Sequence, residues 1–295
     1  MTSSLVIQAV LSGIVNGFVY ALVGMGMAVI FKGTRIVNAM QGEFAVIGAL
    51  VAVFALQGTG LPYAVTIVGG IAAGAVTGFL VDWLFVRPMT RRGAGEEGFL
   101  LLTIGLAFTL SAAALFFGGR DSHLLPSFGG EGVVEIFGAF LTIHALWLVG
   151  IAGAVVIALR LFYTRTLIGL SMSAASLDPD GATTTGINVA RMRALTFVLG
   201  GALGAVAGLL VTPLIAVNYQ MGIGLTLKGF AAAILGGLSN PLGAVVGGLA
   251  LGLLESLAVL SFPSGYKDAI ALSLLVAIMI LMPNGLLGRA GRKGG

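Results

Sequence analysis

The chain has 295 residues, of which 58% are hydrophobic and only 9% are charged, and its formal net charge is +4. Soluble domains carry about 25% charged residues, whereas the stretch 98–119 of this chain contains none. A water-soluble fold is therefore excluded, and lipid must be the solvent for these surfaces. The sequence has no cysteine and only two histidines, which excludes a disulfide framework and disfavours metal or thiol catalysis, so no cofactor is expected.

The first apolar segments are long enough to cross a bilayer as helices, which takes about 20 residues for about 30 Å of hydrocarbon. Clear spans are predicted at 6–30, 63–86, 99–117, 144–162 and 193–217. The first lacks a preceding basic region and a clear cleavage site, so it is interpreted as a retained span and not as a signal peptide. A shorter span is predicted at 39–56, where Gln41, Gly42 and Glu43 interrupt the apolar run.

The region 225–287 is largely apolar but is broken at two points. Ser239-Asn240-Pro241 forms one break, and the residues 261–267 form the other. These breaks divide the region into predicted segments at 225–238, 242–260 and 268–287. The first of the three either spans the membrane or re-enters it. The predicted fold class is therefore an all-α, polytopic transmembrane bundle of nine segments, or of eight if 225–238 is re-entrant.

The basic residues orient the chain, because Lys and Arg accumulate in cytoplasmic loops. With loops alternating between two sides, 12 of the 15 basic residues fall on one side and 3 on the other. The three are Arg120, Lys228 and Lys267. This split predicts nine crossings with the N-terminus outside and the C-terminus inside. Basic clusters in short loops between apolar spans indicate membrane topology, so a nucleic-acid partner is not expected.

Glycines recur at four-residue spacing within several spans, which places them on one face of a helix. In lipid, small residues let helix backbones approach closely. We therefore expect helix contacts at Gly13, Gly17, Gly70, Gly74, Gly78, Gly200, Gly204, Gly208, Gly243 and Gly247.

Glu255 is the most informative ionisable residue, because it lies in the apolar stretch 249–260 with no basic residue in its own segment. A charge in hydrocarbon is costly, so this carboxyl is expected to face the bundle interior. It either contacts the substrate or forms a buried hydrogen bond between two helices.

Glu43 and Asp82 lie within about two turns of predicted cytoplasmic ends. Arg35 and Arg87 could pair with them there, and anchoring at the membrane interface is the favoured interpretation for both carboxylates.

The polar segment 35–43 lies between the first two spans and contains Asn38, Gln41, Gly42 and Glu43. Non-helical backbone at membrane depth is tolerated only where protein or a water-filled cavity satisfies its polar groups. The segment is therefore either part of a pore lining or an ordinary cytoplasmic turn.

The longest polar interval expected on the cytoplasmic side is 163–193. Within it, Asp178 is suited to cap a helix and Pro179 to be the first helical residue. This pattern predicts a turn and a short helix before Gly186. Such a helix is either a docking element for a soluble partner or a solvated connector.

Five stretches, taken in their order and spacing, carry a resemblance to a known family. They are Gly13–Leu22, Arg35–Phe44 with its Gly-Glu-Phe ending, Asp178–Asn188 closing in Thr-Gly-Ile-Asn, Leu227–Glu255 with Leu-Gly-Gly-Leu-Ser-Asn-Pro-Leu-Gly-Ala-Val-Val-Gly-Gly, and Met282–Gly288. The chain resembles the LivH-type permease subunits of branched-chain amino acid ABC importers. The resemblance extends over nearly all of 1–295, as one transmembrane permease domain with a cytoplasmic coupling loop at 163–193.

The resemblance implies a multi-pass protein of the bacterial inner membrane that pairs with a second, related permease as a heterodimer. It also implies a periplasmic substrate-binding protein and two cytoplasmic ATPase subunits as partners. The ATPase-coupling residues would be Asp178, Pro179, Ala182, Gly186, Ile187 and Asn188. The candidate pore-lining residues are Asn16, Asn38, Gln41, Gly42, Glu43 and Glu255.

The chain itself is not expected to be an enzyme, since it has no Gly-x-x-x-x-Gly-Lys-Ser/Thr phosphate loop, His-Glu-x-x-His motif or Ser/Lys dyad. The implied substrates are branched-chain or related amino acids. Alternatives are urea, short amides or another small polar solute. From a different class, an ion-coupled secondary carrier or a channel is possible, with Glu255 as its ion site.

Overall fold

The computed structural model describes residues 3–260 and 264–266 and, beyond them, residues 269, 270, 273, 276, 277 and 280. The predicted segment 268–287 therefore lies largely outside the described residues, and the motif Met282–Gly288 lies wholly outside them.

Eleven α-helices form most of the range 3–260. They are α1 (Ser3–Thr34), α2 (Gln41–Thr59), α3 (Tyr63–Val81), α4 (Arg87–Arg91), α5 (Glu96–Gly118), α6 (Ile143–Arg165), α7 (Leu167–Leu177), α8 (Pro179–Thr184), α9 (Val189–Val211), α10 (Met221–Gly236) and α11 (Gly243–Ala258). A π-helical turn, Asp82–Val86, joins α3 to α4 without a break, and a 3₁₀ turn occupies Ser264–Tyr266.

Six helical stretches of the described chain are long and apolar enough to cross a membrane: α1, α2, α3 continued through α4, α5, α6 and α9. They confirm the polytopic helical architecture. Helices α10 and α11 correspond to the predicted segments 225–238 and 242–260, but each has only 16 residues. That length is about 24 Å, which is shorter than the hydrocarbon core of about 30 Å. The predicted span 193–217 is shortened as well, because α9 ends at Val211.

A two-stranded antiparallel hairpin, which the all-α prediction omitted, lies between α5 and α6. Strand β1 (Val133–Ile136) pairs with β2 (Ala139–Thr142), and Ile136 is opposite Ala139. The two loop residues, Phe137 and Gly138, have φ of 51° and 78°. Positive φ at both positions is the geometry whose twist matches that of the paired strands. We call the end of the bundle that carries this element the hairpin end.

The opposite end of the bundle, which we call the α8 end, carries α7 and α8. Helix α6 runs from one end to the other, because it begins directly after β2 and finishes just before α7. Helix α1 starts at the hairpin end, where Gln8 exchanges two hydrogen bonds with the backbone of Phe140 (2.8 and 3.0 Å). Helix α9 runs the other way, and the chain after it pairs Val217 with His123 at the hairpin end.

Helix α11 lies antiparallel along α1, with Gly13 against Leu253 and Gly17 against Leu249. These contacts follow the two helices over more than one turn, so the pair is packed side by side.

Helix α10 instead crosses α1 near its middle, where Gly229 and Ala232 both pack on Gly24. Its two ends contact other elements. Gly222, in its first turn, meets the start of α2, and its last residue, Gly236, meets the first residue of α11. Helix α10 is therefore a short element held at both ends and in the middle.

The helix contacts expected from the glycine spacing are confirmed. At each of the ten glycines, an added Cβ atom would meet atoms of a neighbouring helix within 4 Å. Glycines of α1 face α11, those of α3 face α2 and α9, those of α9 face α1 and α2, and those of α11 face α10.

We expect Gly70→Ala to lower the thermal unfolding midpoint of the protein, and the adjacent Gly69→Ala to leave it unchanged or raise it. A Cβ atom at Gly70 would lie 2.5 Å from the carbonyl oxygen of Gly48 on α2, whereas no described atom lies within 4 Å of a Cβ atom at Gly69. Overpacking costs about 1–3 kcal/mol, while alanine in an unobstructed helix gains about 0.5–1 kcal/mol over glycine. Thermal unfolding in detergent measures both, and equal midpoints would contradict this contact.

Candidate functional site

The chain between α1 and α2 folds back into the bundle before α2 begins. The Gln41 side chain, at the first residue of α2, donates a hydrogen bond to the carbonyl oxygen of Gly200 (2.8 Å). Gly200 lies midway along α9, and Gly26 of α1 also packs on Gln41. Helix α2 therefore begins about halfway through the bundle and not at its α8 end.

Side chains satisfy the non-helical backbone of this segment. Asn38 is fully buried. Its Nδ2 donates to Gln41 Oε1 (2.9 Å), and its Oδ1 accepts from the amide of Met40 (3.1 Å). The Thr103 hydroxyl of α5 accepts from the amide of Ala39 (3.2 Å). Such partners are the condition for irregular backbone at membrane depth, and the structure places Asn38 and Gln41 inside the bundle.

Helix α10 reaches the start of α2 at two glycines. The amide of Gly42 donates to Thr226 Oγ1 (2.8 Å). A Cβ atom at Gly42 would overlap the carbonyl group of Gly222. Only glycine fits at position 42, because the two backbones approach each other at this point without an intervening side chain.

Glu43 follows directly and is buried, with 1% of its surface exposed. Its carboxylate packs against Gly222 in the first turn of α10. Among the described residues, no donor lies within hydrogen-bonding distance of either carboxylate oxygen. The first turn of a helix carries partial positive charge, which favours a carboxylate here. The expected pairing of Glu43 with Arg35 at an interface is therefore wrong.

The expected pairing of Asp82 with Arg87 is also wrong. Asp82 Oδ1 lies 2.7 Å from Nε of Arg193, a residue of α9, and the aspartate side chain is only 3% exposed. The π-helical turn that begins at Asp82 is thereby tied to the first turns of α9.

Two cavities lie on either side of α10. The first, of about 300 Å³, is bounded by α5, by the end of α1 and by α10, and we call it the α5-side cavity. Val37, Ala39 and Ile104 place it in the half of the bundle near the α8 end. Thr226 is the only one of its described lining residues with a polar side chain.

The second cavity, of about 230 Å³, lies between α1, α9 and α10, and we call it the α9-side cavity. Asn16 on α1 and Val211 at the end of α9 place it in the half near the hairpin end. Tyr20 and Lys228 also line it. Its walls are thus more polar than those of the α5-side cavity.

Glu255 lies behind Lys228 and forms an ion pair with it, with Lys228 Nζ 3.0 Å from Glu255 Oε1. Sequence reasoning missed Lys228, because the charge count placed it with loop residues and because it belongs to a different segment from Glu255. Apolar residues on both sides of Lys228 in 225–238 were the signal that could have placed it inside the bundle. The six candidate pore residues thus fall into two groups. Asn38, Gln41, Gly42 and Glu43 lie at the start of α2, and Asn16 and Glu255 lie on the opposite side of α10.

At the α8 end, the loop 163–193 contains two helices, where the sequence predicted one. Asp178 caps α8, because its Oδ1 accepts a hydrogen bond from the amide of Gly181 (2.9 Å), and Pro179 is the first helical residue. Ala182 is buried, whereas Pro179 and Asp180 are exposed. Most of α8 is therefore exposed to solvent, and Ala182 is its one buried residue.

The turn after α8 connects it firmly to α9. The amide of Ile187 donates to the carbonyl oxygen of Ala182 (3.0 Å). Gly186, with φ of 84°, supplies the left-handed residue that such a helix end requires. Asn188 then caps α9 by accepting from the amide of Arg191 (3.0 Å).

The family model described as "branched-chain amino acid transport system / permease component" matches residues 9–282. The chain is 33% identical to the high-affinity branched-chain amino acid transport system permease protein LivH of Escherichia coli strain K12, over 96% of each chain. It is 29% identical to the corresponding protein BraD of Pseudomonas aeruginosa, again over 96% of each. It is 27% identical to a probable LivH of Methanocaldococcus jannaschii, over 92% of this chain and 89% of the relative.

We expect Gly222→Ala to destabilise the protein through Glu43. A Cβ atom at Gly222 would overlap the Glu43 carboxylate, whereas no described atom lies within 4 Å of a Cβ atom at Gly224, two residues along the same helix. Gly222→Ala should therefore lower the thermal midpoint in detergent, and Gly224→Ala should not.

Removal of the carboxylate should relieve this overlap. In the double variant Gly222→Ala/Glu43→Ala, the two free-energy changes should be non-additive by about 1 kcal/mol or more in the stabilising direction. Strict additivity in the double-mutant cycle would show that Glu43 does not occupy this place.

Proposed function

The chain belongs to the family of permease components of branched-chain amino acid transport systems, and we propose that it forms one half of the translocation pore of an ABC importer for branched-chain amino acids. The observation that carries this proposal is the end-to-end similarity to the LivH of Escherichia coli, 33% identity over 96% of each chain. The family model and these relatives share one description, that of a permease of a branched-chain amino acid transport system.

The partners we propose are a second, related permease, two cytoplasmic ATPases and a periplasmic binding protein. The chain has no phosphate-binding loop of the Walker type, so ATP-derived energy must come from another subunit. The exposed surface of α8 supports a docking role for Asp178, Pro179, Gly186 and their neighbours. Because α8 is connected to α9 by the fixed turn at Gly186, a displacement of α8 by a docked partner can move α9.

The orientation we propose is N-terminus outside and C-terminus inside, with α8 in the cytoplasm. Basic residues gather at the α8 end, where Lys32, Arg35, Arg165 and Arg191 lie at or beside helix ends. The positive-inside rule assigns such an end to the cytoplasm. Nine crossings are part of the same proposal, because an odd number of crossings places the two termini on opposite sides of the membrane. Eight crossings, with a re-entrant α10, would place both termini on the same side.

The two cavities support alternating access. The α9-side cavity lies in the half that this orientation assigns to the outside, and the α5-side cavity lies in the inner half. Helix α10 and the start of α2 separate them. In this mechanism, the substrate passes from one cavity to the other when the contact between Gly42 and α10 opens.

The transport proposal is tested with the chain assembled with its partner permease, ATPases and binding protein in liposomes. Uptake of leucine, isoleucine and valine should require ATP and should persist when ion gradients are abolished. Uptake driven by an ion gradient without ATP would identify a secondary carrier and contradict the proposal.

The coupling role predicts that Asp178→Arg combined with Gly186→Trp lowers substrate-stimulated ATP hydrolysis by about tenfold or more, which corresponds to a loss of about 1.4 kcal/mol of docking energy. The first change removes the cap of α8, and the second adds bulk in space that is open next to Gly186. Glu131→Arg, an exposed charge reversal in the loop before the hairpin, is the control and should leave hydrolysis unchanged. Unchanged hydrolysis in the double variant, with an intact complex, would show that α8 is not the coupling element.

A further inference from the structure

The α9-side cavity carries a group of polar side chains that an apolar passage does not need. Asn16 and Tyr20 are one helical turn apart on α1, so their side chains lie on the same face. Lys228 approaches from α10. Its Nζ lies 3.2 Å from Tyr20 Oη and 3.0 Å from Glu255 Oε1. Three helices thus bring a cation, two carboxylate oxygens and a hydroxyl to one place.

The ion pair is oriented with its cation towards the cavity. The Glu255 side chain is 0% exposed, whereas 21% of the Lys228 side chain is exposed. The carboxylate therefore lies on the side of the ammonium group that faces away from the cavity. A molecule in the cavity would contact the ammonium group. In a medium of low dielectric constant, this charge attracts an anionic group much more strongly than it would in water.

Asn16 supplies a second polar group to the cavity. The Asn16 side chain makes no hydrogen bond with any residue that the structure describes, although it is only partly exposed. A carboxamide can both donate and accept, so it can bind either end of a zwitterion. Val19, Val211 and Leu225 complete the walls with aliphatic surface.

The size of the cavity sets the size of its ligand. At about 230 Å³, it is smaller than the roughly 300–1,000 Å³ of pockets for drug-sized ligands. A ligand with one small charged end and a short aliphatic side chain matches this volume and this distribution of polar and apolar walls.

We infer that the α9-side cavity is a binding site for an aliphatic α-amino acid on its way through the permease. Lys228 binds the α-carboxylate, Asn16 hydrogen-bonds the polar end of the amino acid, and the aliphatic side chain lies against Val19, Val211 and Leu225. Glu255 and Tyr20 are positioning residues that hold the lysine ammonium group. This inference rests on the proposed transport of branched-chain amino acids, and it names the residues that recognise the substrate.

The test is leucine uptake by the complete transporter in liposomes, at saturating concentrations of leucine-loaded binding protein. Lys228→Met should lower the uptake rate by about tenfold or more, because the variant loses a hydrogen bond to a charged group and such a bond contributes at least the equivalent free energy. Lys32→Met is the matched control, because Lys32 lies on α1 against the Tyr163 ring, 4.4 Å from its centroid and outside the cavity. This control should transport normally.

A double variant separates substrate binding from structural support. Lys228→Met leaves Glu255 without the cation that faces it, so the single variant alone could lose activity by misfolding. Lys228→Met/Glu255→Met replaces both charges by apolar side chains of similar length. If the pair serves only the packing of α10 on α11, the double variant should recover uptake to within about twofold of the wild type, whereas a binding role predicts that it assembles and hydrolyses ATP but stays impaired.

Asn16→Ala provides an independent measurement with little risk to folding. It should lower the maximal rate of leucine uptake several-fold while the assembled complex keeps its thermal midpoint. Recovery of uptake in Lys228→Met/Glu255→Met, or an unchanged maximal rate of uptake in Asn16→Ala, would overturn the binding site alone. If the wild-type transporter shows no ATP-dependent leucine uptake, the proposed function fails and the site fails with it.

Discussion

Helix α10 lies against the start of α2 at backbone distance, and this contact exists because Gly42 and Gly222 have no side chains to separate the two helices. In lipid no hydrophobic force draws helices together, so close packing and hydrogen bonds must hold them. The hydrogen bond from the Gly42 amide to the Thr226 hydroxyl fixes the rotation of α10 about its axis at the same point. Both cavities depend on this contact, because each of them uses α10 as a wall.

The two faces of α10 serve different cavities. Its residues on the α5-side cavity are Ile223, Thr226, Leu227 and Phe230, and those on the α9-side cavity are Met221, Gly224, Leu225 and Lys228. Both sets have the spacing of a single helical face, and they are offset by two residues, which is about 200° around a helix. The apolar face borders the cavity of the α8-end half, and the face with the lysine borders the cavity of the hairpin-end half. A change in the tilt or rotation of α10 therefore alters both cavities together.

Sequence reasoning succeeded where a feature belongs to one stretch of chain. The apolar runs located the long helices, the four-residue spacing located the glycine contacts, and Asp178 with Pro179 located the start of α8. It failed where a feature depends on residues that are close in space but distant in the sequence. Hydropathy does not show which neighbours a short apolar helix contacts, so the contacts of α10 with α1, α2 and α11 were not predictable from 225–238. The partner of Glu255 comes from another helix, and the burial of Glu43 follows from the re-entry of 35–40, which local pattern does not reveal.

Helix α9 links the α8 end, where we propose that the ATPases dock, to the α9-side cavity. Asn188 caps it beside α8, Gly200 accepts the Gln41 hydrogen bond midway, and Val211 lines the α9-side cavity at its other end. A displacement of α8 that tilts α9 would therefore move the start of α2 and one wall of the α9-side cavity at the same time. Gln41 directly precedes Gly42, so the displacement reaches the contact with α10 through a single residue. In the proposed mechanism, a shift of the size that packed helices commonly make, about 1–2 Å, would separate Gly42 from Gly222 and break the hydrogen bond to Thr226.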